Sequence, residues 1–120
     1  IHVTDLAEGH VRALERLGIV GNNPFGIKAD DSGNKVLTYN LGSGKGVSVL
    51  EMVEEFSKES GVEIPYKIGP RREGDVPILY CDASKAKREL GWETKRDLSK
   101  MCMDSWNWQK NNPEGYGIEY

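Results

Sequence analysis

From Val3 onward, apolar residues Val3, Leu6, Ala7, Val11, Leu14 and Leu17 recur at the three- and four-residue spacing of one helical face. Thr4 or Asp5 is the expected N-cap, Asp5 and Glu8 stand at capping-box spacing, and Gly18 closes the helix. The pattern then breaks. Residues 20–35, VGNNPFGIKADDSGNK, are rich in Gly, Asn, Asp and Pro and predict a surface loop longer than compact domains usually need.

Residues 36–41, VLTYNL, predict a strand, and the glycine loop Gly42-Ser43-Gly44-Lys45-Gly46 leads from it to a helix starting at Ser48. Ser48 with Glu51 forms a capping box, and Val47 with Met52 supplies the hydrophobic staple. Val49, Leu50, Val53 and Phe56 are the expected buried stripe, with Gly61 as terminator. VEIPYKIG predicts a second strand, so this region is expected to be a right-handed βαβ unit. PRREGDVP then predicts an irregular charged turn and ILYCD a short extended piece. Asp82 caps the helix ASKAKREL, which stops at Gly91. Asp97 caps the last helix, with Leu98, Met101, Cys102 and Trp106 on one face and Asn112-Pro113 at its end. The fold class is α/β: a short βαβ sheet with several helices.

Composition narrows the function classes. With 120 residues, 38% hydrophobic and 29% charged, the chain suits one soluble domain with a modest core. A net charge of −3 argues against a general nucleic-acid surface, which needs a basic patch. No apolar run approaches the roughly 20 residues of a membrane span. Cys81 and Cys102 fit no CxxC or zinc spacing, and no charged-then-apolar leader is present, so a reduced, cytoplasmic setting is expected, with a single disulfide between them as the alternative. The strand-like opening IHVTDL, with no methionine, is the expected look of a piece of a longer protein.

Candidate chemistry is concentrated in RREGD. Arg71 and Arg72 sit in an irregular turn after a predicted strand end, where α/β folds place ligands, and a guanidinium fork matches a phosphate. Asp75 can accept from ribose hydroxyls or orient an arginine; a solvated charge cluster is the competing explanation. GSGKG is neither a P-loop nor G-x-G-x-x-G, and a sharp turn before a capped helix is reason enough for its glycines. His2 and His10 have no partners at metal-ligand spacing, so no metal site is expected. Trp106 and Trp108, two apart on a helix, cannot share one face; one packs and the other covers an edge or interface. No Ser–His–Asp, Cys–His or Y-x-x-x-K arrangement is available, so no catalytic residue is assigned.

The blocks IHVTDLAEGHVRAL, YNLGSGKGVSVLEM, IPYKIGPRREGDV, DASKAKRELGW and MCMDSWNWQKNNPEGY together resemble the UDP-glucose 4-epimerase family, in order and over nearly the whole chain except 20–35. The RREGD block and the W-x-W-Q…N-P-x-G-Y ending are specific, whereas D-L-A and N-L-G occur in other nucleotide-sugar short-chain dehydrogenases. The resemblance implies a fragment of a two-lobed, NAD-dependent Rossmann-type enzyme. Residues 1–120 would be the C-terminal UDP-sugar-binding lobe, without the N-terminal domain that binds NAD and carries the catalytic tyrosine and lysine. An arginine that the family carries just before IHV, part of the same nucleotide clamp, would also lie outside the chain.

By the same resemblance, Arg72 binds the diphosphate, Asp75 the uridine ribose, and Leu79 lies beside carbon 2 of the sugar, with Arg71 in a supporting role. Relatives carry tyrosine or a small residue at position 79; leucine is neither, which leaves acceptance of N-acetylated sugars open. The implied reaction interconverts UDP-glucose and UDP-galactose: NAD oxidises the 4-hydroxyl, the 4-keto sugar turns, and hydride returns to the other face. A homodimer is implied for the whole enzyme, and the isolated segment is expected to be inactive. Two alternatives stand beside this one: another UDP-sugar enzyme of the superfamily, and a non-catalytic binding or interaction domain.

Overall fold

The computed structural model describes residues 1–17 and 37–117. Gly18, the predicted loop 20–35 and Val36 lie outside the described residues. Four helices are described: α1 (Val3–Arg16), α2 (Val49–Ser60), α3 (Ser84–Leu90) and α4 (Leu98–Asn111). They divide into two compact units, the first formed by Ile1–Gly46 with Leu79–Lys95 and the second by Val47–Ile78 with Arg96–Tyr120.

The first unit is organised around Trp92. With Ala86 and Leu90 of α3 it forms a buried cluster, against which Ala13, Tyr39, Leu41 and Ala83 pack. The indole Nε1–H donates to the backbone carbonyl of Asp5 at 2.8 Å, joining positions 87 apart in the chain. Gly9, one turn further along α1, makes this approach possible: a Cβ there would stand 3.2 Å from Trp92 Cε2 and 2.7 Å from Leu41 Cδ1. Asp5 is fully buried, and its carboxylate accepts the Lys95 backbone N–H at 3.1 Å. Its expected capping role falls instead to His2, whose Nδ1 accepts the Thr4 N–H at 3.1 Å. Asp5 is therefore a long-range anchor, and the face of α1 that carries Asp5 and Gly9 is the buried one. Val3, Val11 and Leu14 of the predicted apolar stripe are exposed. Asp82 stops α3 from fraying through a 2.8 Å bond from the Ser84 N–H, although Ala83 occupies the cap position itself.

In the second unit α2 packs on α4. Ser48 and Glu51 form the expected capping box, and Gly61 ends α2 with a left-handed φ of 69°. The seam is rolled relative to the predicted stripe. Met52, Phe56 and Glu59 meet Cys102, Trp106 and Ser99, whereas Val49 and Leu50 are exposed. Cys102 is the buried residue of α4, and the α2 positions that reach α4, 52, 56 and 59, are spaced one turn apart, with Met52 still partly open to solvent. Phe56 and Trp106 meet edge-on at 6.3 Å, and Trp108 meets Tyr116 edge-on at 5.4 Å on the exposed side. The two tryptophans thus divide packing and edge cover between them. Asp97 caps α4 by accepting the Lys100 N–H at 2.9 Å, and Asn112 ends it.

The expected βαβ sheet is corrected: among the described residues no strand is formed, neither at 37–41 nor in VEIPYKIG. A strand needs a ladder partner for its backbone groups. The two segments fall in different units, and among the described residues neither unit supplies a second extended segment that pairs with its own. Ile64 is tied instead by its N–H to Ser57 Oγ at 3.2 Å.

Gly9→Ala tests the packing at Trp92. Alanine gains up to about 1 kcal/mol of helix propensity over glycine. Overpacking a filled interior costs about 1–3 kcal/mol. The melting temperature should therefore fall despite the better helix former, as thermal denaturation followed by tryptophan fluorescence would show.

Candidate functional site

The turn Arg71–Asp75 is built by its own side chains. The Asp75 N–H donates to the Arg72 carbonyl at 3.4 Å, and Gly74 between them has φ 85°, the left-handed conformation that a type II turn reserves for glycine. Arg72 Nε lies 3.3 Å from Asp75 Oδ2. The Arg71 guanidinium donates to the Asp75 carbonyl at 2.8 Å. Asp75 is thus held at both ends, by Arg71 through its backbone and by Arg72 through its carboxylate. The Arg72 side chain is 87% exposed, so the ion pair is screened and worth about 0–1 kcal/mol. An arriving phosphate can take the guanidinium from Asp75 at little cost and leave the carboxylate free for hydroxyl donors.

Leu79 belongs to the first unit and is 85% exposed. Leu79 faces solvent, while Cys81, two residues on, is half-buried against Gly42. A Cβ on Gly42 would stand 2.5 Å from Cys81 Sγ, and one on Gly46 would lie 3.6 Å from the Tyr80 ring. Gly44 has φ 71°. Ser43 Oγ accepts the Lys45 N–H and donates to the Lys45 carbonyl, closing the loop on itself. The glycines serve close packing and a turn, and the loop's own serine occupies the Lys45 N–H, so these residues do not fit a dinucleotide phosphate. An open hollow of about 220 Å³ beside the loop, crossed by the Lys87–Glu93 ion pair at 2.5 Å, is smaller than ordinary ligand pockets.

Other reactive groups have structural partners. Burial pushes the Cys102 thiol pKa up, and nearby Glu55 and Glu59 add to it, which keeps this thiol protonated and inert. Both cysteines are free. Partial burial raises the Tyr39 pKa, reinforced by its 3.1 Å hydrogen bond to Glu89. His10 Nδ1 lies 2.8 Å from the Leu6 carbonyl. Among the described residues no three His, Cys, Asp or Glu side chains gather as a metal site, and no helix is long and apolar enough to cross a membrane. The sequence pattern missed the Arg71 bond to the Asp75 carbonyl; its one sequence cue is a donor four residues before a turn end.

The family model described as GDP-mannose 4,6 dehydratase matches residues 3–105. The chain belongs to this family. It is 53% identical over 116 residues to the UDP-glucose 4-epimerase of Bacillus subtilis, covering 97% of this chain and 30% of the relative. With UDP-glucose 4-epimerase 2 of rice, Oryza sativa subsp. japonica, it shares 49% identity over 98% of its own length and 26% of the relative's. The solved UDP-glucose 4-epimerase of Bifidobacterium longum, in complex with NAD+ and UDP, superposes with a TM-score of 0.76 at 42% identity, over 97% of this chain and 30% of that one. The chain therefore shares its fold with part of that enzyme, and spans less than a third of the length of these relatives.

Gly42→Ala tests whether that glycine is there for packing. The substitution should destabilise by about 1–3 kcal/mol through the clash with Cys81. Adding Cys81→Ala, which removes the sulfur, should restore most of the loss in urea unfolding. An unrescued double variant would point to another role for the loop.

Proposed function

We propose that residues 1–120 are the C-terminal, UDP-sugar-binding lobe of a UDP-glucose 4-epimerase that interconverts UDP-glucose and UDP-galactose. The observation that carries the reading is 53% identity to an enzyme of that name along 97% of the chain, with the RREGD turn inside the matched span. NAD belongs in this reading to an N-terminal domain outside these residues, which also supplies the acid–base groups, and the segment alone is not catalytic. The complete enzyme is read as a cytoplasmic homodimer. Val3 and Leu79 in one unit, and Val49, Ile68 and Ile78 in the other, are largely exposed, which supports a further domain that covers apolar surface.

In this scheme Arg72 binds the diphosphate and Asp75 the ribose hydroxyls, while Leu79 lies beside the hexose. Holding the nucleotide by these two points leaves the sugar free to turn between its two faces. A second reading, a UDP-sugar enzyme of related chemistry, is favoured by the dehydratase description of the matched family model.

Arg72→Ala in the complete enzyme should weaken UDP binding about ten- to a hundredfold, since a charge-assisted contact contributes about 1.5–3 kcal/mol. Calorimetric titration with UDP measures this, and NAD content should stay unchanged. Unaltered UDP affinity would remove Arg72 from the site.

Leu79→Tyr addresses substrate range. Leucine is shorter than tyrosine and has no hydroxyl, so the native enzyme should turn over UDP-glucose and, less efficiently, UDP-N-acetylglucosamine. The tyrosine variant should lose the N-acetyl activity and keep that on UDP-galactose. Equal falls in kcat/KM for both sugars would show that residue 79 does not gate the pocket.

A further inference from the structure

We propose that Cys81 is a positioning residue for substrate range: seated against the glycine loop, it fixes the backbone beside Leu79 and so sets how much room the carbon-2 substituent of the hexose has. The inference rests on the reading of Leu79 given above and adds to it what holds that residue in place.

The three alternate glycines of Gly42-Ser43-Gly44-Lys45-Gly46 share one neighbour. A Cβ on Gly42 would stand 2.5 Å from Cys81 Sγ, one on Gly44 would lie 4.0 Å from the Cys81 carbonyl oxygen, and one on Gly46 3.6 Å from the Tyr80 ring. Apart from the residues next to them in the chain, only Tyr80 and Cys81 come within 4 Å of those three positions. The repeat at 42, 44 and 46 is thus the imprint of one short segment lying on the loop. Gly42 is the tightest point, because a methyl there would take the place of the sulfur.

Cys81 is also where the chain comes to rest. Residues 65–80 are exposed throughout, and Cys81 is the first half-buried residue after them. Beyond it the path is held: the Asp82 carboxylate accepts the Ser84 N–H at 2.8 Å, and Ala83 packs against the Trp92 cluster. Leu79, 85% exposed, takes its place from the backbone that follows it. Two planar peptide links, each spanning about 3.8 Å between Cα atoms, tie it to the seated cysteine. A buried thiol behaves as a small apolar group, and removing it leaves a gap into which its neighbours relax only in part. Leu79 moves with the segment, and the wall beside carbon 2 is held less firmly.

The test uses the complete enzyme and the ratio of kcat/KM for UDP-glucose to that for UDP-N-acetylglucosamine. Cys81→Ala should lower this ratio about three- to tenfold, less than the roughly 10–200-fold that a methylene in direct contact with a substrate can carry. Affinity for UDP, which has no hexose, should not change. Cys81→Ser, close to cysteine in shape, should keep the native ratio. Adding Gly42→Ala to Cys81→Ala puts a methyl where the sulfur was and should bring the ratio back to within about twofold of native. In a Leu79→Ala background, Cys81→Ala should change the ratio less than about twofold, because the side chain it positions is gone. The proposal is overturned if Cys81→Ala lowers the melting temperature but leaves the ratio native while Leu79→Tyr shifts it, since the contact is then structural only. It is equally overturned if Cys81→Ala acts as strongly without the Leu79 side chain, or if UDP affinity falls in parallel. Should Leu79→Tyr also leave the ratio native, the reading of residue 79 has failed, and the role of Cys81 falls with it.

Discussion

A buried indole N–H must find an acceptor, and in this chain the acceptor is a helix carbonyl. Trp92 can lie against α1 only because Gly9 has no side chain there, and its hydrogen bond to Asp5 then fixes how α1 meets the segment after α3. The Asp5 carboxylate adds a second tie, to the Lys95 N–H, and Lys95 Nζ reaches Glu8 at 2.8 Å on the surface. A fully buried carboxylate is costly unless its oxygens are partnered, so the same residue that anchors the unit also penalises its opening. The glycine loop is packed in the same unit against Cys81 and Tyr80, which sets the path of the segment that carries Leu79.

The RREGD turn works on the opposite principle. Its contacts are exposed and individually weak, and that suits a site which must exchange partners. An ion pair buried as deeply as Asp5 would cost several kcal/mol to open. Arg72 and Asp75 can separate at little cost, because the pair is exposed and screened by solvent.

What the sequence displayed follows the range of the interaction. The Ser48–Glu51 box and the terminators Gly61 and Gly91 are local, and each was readable from a few neighbouring letters. The Arg72–Asp75 pair was readable for the same reason, being three residues apart. Asp5 looked like a cap because acidic residues at helix starts usually are; its partners at 92 and 95 leave no mark near it, and histidine is not an expected cap. The strands were inferred from alternating Val, Ile and Tyr, but a ladder is a relation between two segments, and here they lie in separate units. Arg71 has a main-chain acceptor, and main-chain oxygens are the same at every position.

The order in which the two units take up the chain bears on how it is made. The chain passes from one unit to the other after Gly46, after Ile78 and again after Lys95, so neither unit is complete until its later segment exists. On a ribosome, α1 emerges long before Trp92, and α2 before α4; closing the 87-residue separation between Asp5 and Trp92 carries a loop entropy that only the finished core offsets. For that interval the growing polypeptide presents half-built helical faces with no native cover, the condition in which chaperones are recruited and premature stops are most damaging. A stop codon between positions 47 and 92 would leave not one folded unit and one missing, but incomplete parts of both.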